Sequence, residues 1–227
     1  VRLDIIFDTV CPWCYIGKRR FERALAERPA LRPDIRWRPF LLNPDLPPQG
    51  VDRQAYMERK FGGAPRLQRI QEAIEAAGRA AGISFRLDLV RRVPNSLHSH
   101  RLIALAAQIG REAEMVETLF SAYFTQGLDI GDHEILADLG ESIGLDRRTV
   151  LILLASDIGV QPVRNENARA QRLGVNGVPC FIVEETYAIA GAQEYDILLR
   201  LLDLGRMDGA LLGQPDVASL TSVPIKA

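Results

Sequence analysis

Residues 8–17 read Asp8-Thr9-Val10-Cys11-Pro12-Trp13-Cys14-Tyr15-Ile16-Gly17, and the place of this stretch in the chain decides the fold. Ahead of it, Leu3 to Phe7 carries the continuous apolar run of a buried central strand. Behind it, Cys14, Gly17, Phe21, Ala24 and Leu25 fall at helical spacing until Pro29. Two cysteines separated by two residues, at the point where a strand hands over to a helix, form a redox motif. They can close a small disulfide ring, and the helix N-terminus places unpaired N–H groups and the positive end of the macrodipole beside the first sulfur. Cys11 is therefore expected to be the thiolate, since such a setting lowers a thiol from about 8.5 to anywhere from about 3.5 to 7.5. Cys14, one turn into the helix, is expected to be buried and more inert. Half of a zinc site is the competing reading, but zinc needs four ligands. The chain offers only Cys180 and the histidines His98, His100 and His133 besides, so no metal is expected.

Working outward, Ile35 to Phe40 alternates like a strand and completes a β-α-β unit whose connection suits a parallel pair. Leu41 to Gly50 is dense in turn residues and marks a boundary. From Val51 to Gly159 the pattern is helical. Leu67, Ile70, Ile74, Ala77 and Ala81 form one stripe, Leu97, Leu102, Leu105 and Ile109 another. Met115 to Tyr123, Ile135 to Leu139 and Val150 to Leu154 supply three more, with Asp132 and Asp146 where N-caps belong. A helix over Pro162 to Leu173 follows, then strands Cys180 to Val183 and Tyr187 to Ala190 about a two-residue turn at Glu184-Glu185. A last helix spans Glu194 to Leu204, and the tail from Gly205, with its glycines and prolines, is expected to be extended and partly mobile. No internal repeat is present.

This order of elements is that of an α/β, thioredoxin-like fold with an inserted all-helical domain. Residues 1–50 and 160–204 form the thioredoxin-like part, 51–159 the insertion and 205–227 the tail. Just before the hairpin lies Gly174-Val175-Asn176-Gly177-Val178-Pro179-Cys180. A proline opening a central strand cannot donate to the ladder and signals a turn or a cis peptide. In thioredoxin-like proteins such a cis-proline faces the cysteine pair, and the residue before it pairs with an incoming chain. Val178 and Pro179 are therefore candidate substrate contacts.

Composition narrows the partners. The chain has 227 residues, 47% hydrophobic and 25% charged, with a net charge of −1. That balance belongs to an ordinary globular protein and argues against a nucleic acid or an anionic membrane as partner. No run of about 18 apolar residues exists to span a bilayer. The N-terminal residues enter a strand directly, without the pattern of a secretory signal. The expected compartment is the cytoplasm, where a C-x-x-C pair is more often catalytic than structural.

Asp8 to Gly17, Pro39 to Pro44, Pro94 to Ala104, Phe124 to Asp132 and Gly177 to Gln193 together resemble one family. It is the DsbA-like branch that contains FrnE-type oxidoreductases and 2-hydroxychromene-2-carboxylate isomerases, with kappa-class glutathione transferases more distant. The resemblance covers nearly the whole chain and implies a thioredoxin fold with a helical insertion, a homodimer, and no tightly bound cofactor. Isomerases and kappa transferases of this family carry serine at the first motif position, where this chain has Cys11. The first expectation is therefore a DsbA-like protein disulfide oxidoreductase that exchanges disulfides with a protein or low-molecular-weight thiol. Cys11 would attack, Cys14 would resolve the mixed disulfide, Pro12 and Trp13 would tune the motif, and Asp8 would raise the pKa of Cys11 or relay a proton. The second is a glutathione-dependent isomerase or transferase acting on a small aromatic compound, with Cys11 holding the glutathione sulfur. The third is a chaperone-like module that holds unfolded peptides.

Other positions are candidates with plain structural alternatives. Asn43, Asn95 and His98 fall in the segments that would approach a substrate pocket, although Asn95 or Ser96 also suits a helix cap. His98 and His100, two apart, do not share a helix face. Gly191, Ala192 and Gln193 open the last helix, where N–H groups can hold a carboxylate of glutathione as co-substrate. Cys180, directly after the proline, is expected to be a buried thiol, and is a candidate third thiol only if it approaches Cys11.

Overall fold

A computed structural model describes residues 1–211 of the chain, and the side chains of residues 1–206. In chain order the elements are β1 (Arg2–Phe7), α1 (Pro12–Ala26), β2 (Asp34–Pro39), β3 (Val51–Asp52), α2 (Arg53–Phe61), α3 (Ala64–Ala80), β4 (Arg92–Val93) and α4 (Leu97–Ala107). There follow α5 (Glu112–Gln126), α6 (His133–Ser142), α7 (Arg147–Ala155), α8 (Val160–Arg172), β5 (Cys180–Val183), β6 (Tyr187–Ala190) and α9 (Tyr195–Leu211). The main sheet has the order β2-β1-β5-β6. β1 pairs parallel with β2 and antiparallel with β5, and β5 pairs antiparallel with β6. This is the thioredoxin-like α/β core with helices inserted between β2 and β5.

The alternation of side chains along β1 and β5 builds two different faces. Leu3, Ile5, Phe7, Phe181 and Val183 join α1, α9 and the buried residues of α4 to α7 in one continuous cluster. Ile6 and Cys180 point the other way, into a smaller cluster with Phe40, Ala170 and Val175. Each fully buried Phe or Leu stabilises the fold by about 1.5–3 kcal/mol before entropy is charged against it. β1 is buried on both faces, which explains its unbroken apolar run.

Asp132 accepts from the amides of Glu134 and Ile135, and Asp146 from that of Thr149, so both cap their helices as the sequence indicates. Arg101 on α4 is fully buried, and the carbonyls left open at the end of α7 explain why. Its guanidinium donates to the carbonyls of Ile158 (2.8 Å) and Ser156 (2.7 Å) and also to those of Leu153 and Leu154. It thereby satisfies acceptors that a helix C-terminus leaves open and complements the negative end of the dipole.

Four features differ from the sequence reading. The hairpin loop holds three residues, not two, since Val183 pairs with Tyr187; Glu184 and Glu185 both take positive φ, 51° and 56°, without a glycine. The last helix continues past Leu204 to Leu211, and Gly205 is part of it. A Cβ at 205 would lie 2.2 Å from Val183 Cγ1, so this glycine lets α9 lie close on the sheet instead of ending the helix. Of the expected extended tail, residues 205–211 are helical and 212–227 lie outside the described residues. Finally, the segment from Val51 to Gly159 is not wholly helical: β3 and β4 close a two-stranded antiparallel ladder at its base.

Candidate active site

The end of β1 and the start of α1 set the cysteines. The Cys11 amide donates to the Asp8 carbonyl at 3.1 Å, turning the chain. Cys11 is the N-cap of α1, with extended φ and ψ, and Pro12 takes the first helical position, where its missing N–H costs nothing. The helix thus begins two residues earlier than the periodicity indicates, and Cys11 stands at its positive end. Cys11 is 5% exposed and Cys14 2%. The Cys11 thiol donates to the carbonyl of Val178 at 3.6 Å. The Val178-Pro179 bond is cis, and Gly17 of α1 faces the Pro179 ring closely enough that a Cβ there would lie 2.8 Å from Pro179 Cγ.

The two sulfurs differ in character. Burial, then the hydrogen bond to Cys11 and its charge, push the Cys14 thiol well above its ordinary value; the Asp8 main chain opposes this and the Asp8 charge adds to it. Asp8 is fully buried beneath the motif. Its carboxylate accepts from the amides of Leu42 (2.7 Å) and Val10 (3.4 Å), tying the exits of β1 and β2 together. Cys14 is thus a proton-retaining thiol and Cys11 the accessible one, a division of labour suited to a two-step exchange.

Cys11 opens into a cavity of about 330 Å³ between the sheet end and α2, α3 and α5. Pro12, Trp13, Asn43 and Val178 line it. Trp13, 37% exposed, flanks the sulfur at the mouth. Asn43 Oδ1 accepts from Tyr56 Oη at 2.6 Å and Lys60 Nζ at 3.3 Å. Most of the wall is apolar, from Met57, Phe61, Ile74, Leu87 and Phe124, and Arg53 and Gln71 join it. Sequence reasoning misses Arg53 and Met57 because α2 has no apolar stripe; Arg53 is its one buried residue.

Other candidates fall elsewhere. Asn95 donates to the Leu46 carbonyl (2.7 Å) and accepts from the Leu97 amide (3.1 Å), which is loop-fastening and capping, away from the cavity. His98 contacts Arg101 through Nδ1 at 2.8 Å and the His133 ring edge-on, also away from it. His100, not Asn95 or His98, approaches the site: it lies beside Asp8 and Phe7. Gly191 to Gln193 run beside Gly17 and Pro179 but do not line the cavity. The Gly191 amide already donates to the Pro179 carbonyl (2.7 Å), and the Ala192 carbonyl accepts from Arg20. Cys180 points into the smaller cluster, across the sheet from α1, and burial alone pushes its thiol up to about 11. Cys11 and Cys14 belong to the other, larger cluster. Among the described residues no cluster of His, Cys, Asp or Glu has the form of a metal site.

Comparison with known proteins agrees with this geometry. Residues 2–203 match the DSBA-like thioredoxin domain family, and the chain belongs to it. It is a DsbA-like thiol-disulfide oxidoreductase with Cys11 and Cys14 as its dithiol centre. Among solved structures it is similar to a probable DsbA oxidoreductase, SCO1869, from Streptomyces coelicolor: 28% identity, 97% of this chain and 93% of that one, TM-score 0.82. It is 26% identical to the protein YwbO of Bacillus subtilis (strain 168) over 87% of this chain and 93% of that protein. The fold is also shared with the cytosolic disulfide reductase DsbM from Pseudomonas aeruginosa with GSH: 20% identity, 94% and 100% of the two chains, TM-score 0.63.

Proposed function

We propose that this oxidoreductase is of the FrnE type, works in the cytoplasm and exchanges disulfides with low-molecular-weight thiols, glutathione among them. The observation that carries this reading is that Cys11, only 5% exposed, opens into a walled cavity. A folded protein strand would reach such a sulfur with difficulty; a small disulfide would enter. In the exchange, the Cys11 thiolate attacks one sulfur of the substrate disulfide and expels the other as a thiolate. Cys14 then loses its proton and attacks Cys11 Sγ, which releases the second thiol and closes the Cys11–Cys14 disulfide. Run backwards, the same steps oxidise a substrate dithiol. Support for glutathione comes from the fold shared with a disulfide reductase whose structure contains GSH. That no helix among the described residues is long and apolar enough to cross a membrane accords with this setting.

A second reading, a glutathione-dependent isomerase or transferase, draws on the apolar wall of the same cavity. A redox titration in glutathione buffers, followed by Trp13 fluorescence and by trapping thiols for mass analysis, separates the two. A two-electron transition that ends in a Cys11–Cys14 disulfide upholds disulfide exchange. A lasting glutathione adduct on Cys11 with Cys14 free overturns it in favour of the second reading.

A further inference from the structure

Arg53 holds a charge for which no ion pair is formed among the described residues. Its residue is 9% exposed and lines the cavity that Cys11 opens into. A buried guanidinium ordinarily finds a carboxylate, because removing it from water is costly and a neutral partner repays only part of that cost. On its other side Arg53 borders a second, polar cavity together with Asp52, Glu75 and Asp88, but none of these carboxylates forms an ion pair with it, and its hydrogen-bonding partner is neutral. With the Gln71 amide turned so that its oxygen points inward, that oxygen accepts from Nη1 and Nη2 of Arg53, each at 3.2 Å. The Tyr123 hydroxyl is engaged with the Arg92 carbonyl at 2.9 Å. The wall of the Cys11 cavity includes a second cation, Lys60, and no aspartate or glutamate. Arginine remains charged at any ordinary pH, so the cavity combines a mostly apolar wall with a net positive charge and a reactive sulfur.

We propose that the cavity takes a small apolar anion, a carboxylate-bearing organic disulfide, whose carboxylate pairs with the Arg53 fork while its apolar body lies on Met57, Phe61, Ile74 and Phe124 and its sulfur meets Cys11. A planar guanidinium matches a carboxylate with two parallel hydrogen bonds, and in a partly buried site that pairing fixes orientation as well as affinity. Gln71 holds the fork in place until the ligand arrives. This inference rests on the disulfide-exchange reading and names the class of substrate for it.

Two chromogenic aryl disulfides test it: dithiobis(nitrobenzoate), which carries a carboxylate on each ring, and dithiodipyridine, which is neutral. With the reduced protein each reacts in the same balanced way. Cys11 attacks one sulfur and expels an aryl thiolate; Cys14 gives its proton to solvent, attacks Cys11 Sγ and expels the second. Two electrons pass from the protein dithiol to the aryl disulfide. In Arg53→Gln the second-order rate with dithiobis(nitrobenzoate) should fall at least about tenfold, the scale of a lost charge-assisted hydrogen bond. The rate with dithiodipyridine should change by less than about twofold, since no charge is at stake. Gln71→Glu keeps Arg53 but gives it a carboxylate, and should produce the same selective loss even where Arg53→Gln fails to fold. Equal slowing of both reagents, or slowing of neither, overturns the inference. If neither reagent drives the unaltered protein to a Cys11–Cys14 disulfide, the exchange reading itself falls.

Discussion

Asp8 and His100 face each other in the interior, Oδ1 to Nε2 at 3.4 Å, with both side chains shut off from solvent. The pair is not aligned for a hydrogen bond, and His100 Nε2 has no hydrogen-bond partner among the described residues. The charge of the Asp8 carboxylate is one of the causes that raise the nearby Cys14 thiol. In Asp8→Asn, which can retain the acceptor to Leu42, the pH at which Cys14 resolves a Cys11 mixed disulfide should move down, by roughly one unit or less. Stopped-flow release of a chromogenic thiol across pH measures it. A uniform slowing with no shift would instead make Asp8 the base that receives the Cys14 proton.

Cys14→Ser should stop the reaction at the mixed disulfide on Cys11, visible as a stable adduct by intact mass and as loss of multiple turnover. Cys180→Ala should leave the two-electron titration in place and move its potential by less than about 10 mV, because that thiol and the pair belong to different clusters.

Gly17→Ala sets two effects against each other. Alanine is the better helix former by about 1 kcal/mol, but its Cβ would lie 2.8 Å from Pro179 Cγ and 3.4 Å from Phe181 Cζ. Overpacking of this kind costs about 1–3 kcal/mol, so a net loss of stability is expected, together with slower exchange as the Val178-Pro179 loop is pushed from Cys11. Denaturant titration and the exchange rate report the two parts.

Arg101→Ala removes a guanidinium that serves four carbonyls around the end of α7. Hydrogen bonds to a charged donor are worth about 1.5–3 kcal/mol each, and buried acceptors left open cost more. A loss of about 3 kcal/mol or more is expected, which lowers Tm by roughly 6–12 °C in a chain of this length. Thermal unfolding checks it.

His98 supplies an acid-side limit. Burial first, then the neighbouring charges of His133 and Arg101, lower its pKa to about 4. The unfolded chain takes up that proton near pH 6.5, so between those values the unfolded state binds more protons and stability falls as pH falls. The loss should begin below about pH 6.5 and be complete near pH 4. His98→Gln, which keeps an acceptor for Arg101, should flatten that part of the stability profile.

What the sequence discloses depends on how locally each feature is encoded. β1, β5 and β6 are legible because continuous or alternating apolar residues fix them within a few positions, and Asp132 and Asp146 announce their helices. The cysteine pair and the Val178-Pro179 step are legible as chemistry. Gly205 misleads, because a glycine required by a neighbour's side chain looks the same in sequence as one that ends a helix. The turn at Glu184 and Glu185 misleads too, since neither residue signals positive φ. The cavity is not legible: its wall is drawn from the exits of β1 and β2, α2, α3, α5 and the loop before β5, and Arg53 sits in a helix without an apolar stripe. His100 is hidden for the same reason, being brought to Asp8 only by the packing of α4 on β1.

The helix that carries the cysteines is moored to the insertion by charge. Glu117 of α5 accepts from Lys18, Arg19 and Tyr15 of α1, and Lys18 is only 4% exposed. Separating α1 from α5 would break all three of these contacts and leave the buried Lys18 ammonium with Glu22 of its own helix alone, at 2.6 Å, a loss of partners that holds the two helices together. The two sides of the substrate chamber are therefore mechanically unequal. One side joins the redox helix to α5 through charge; the other is α2, which has a single buried residue, and local opening is cheapest where the fewest side chains are buried.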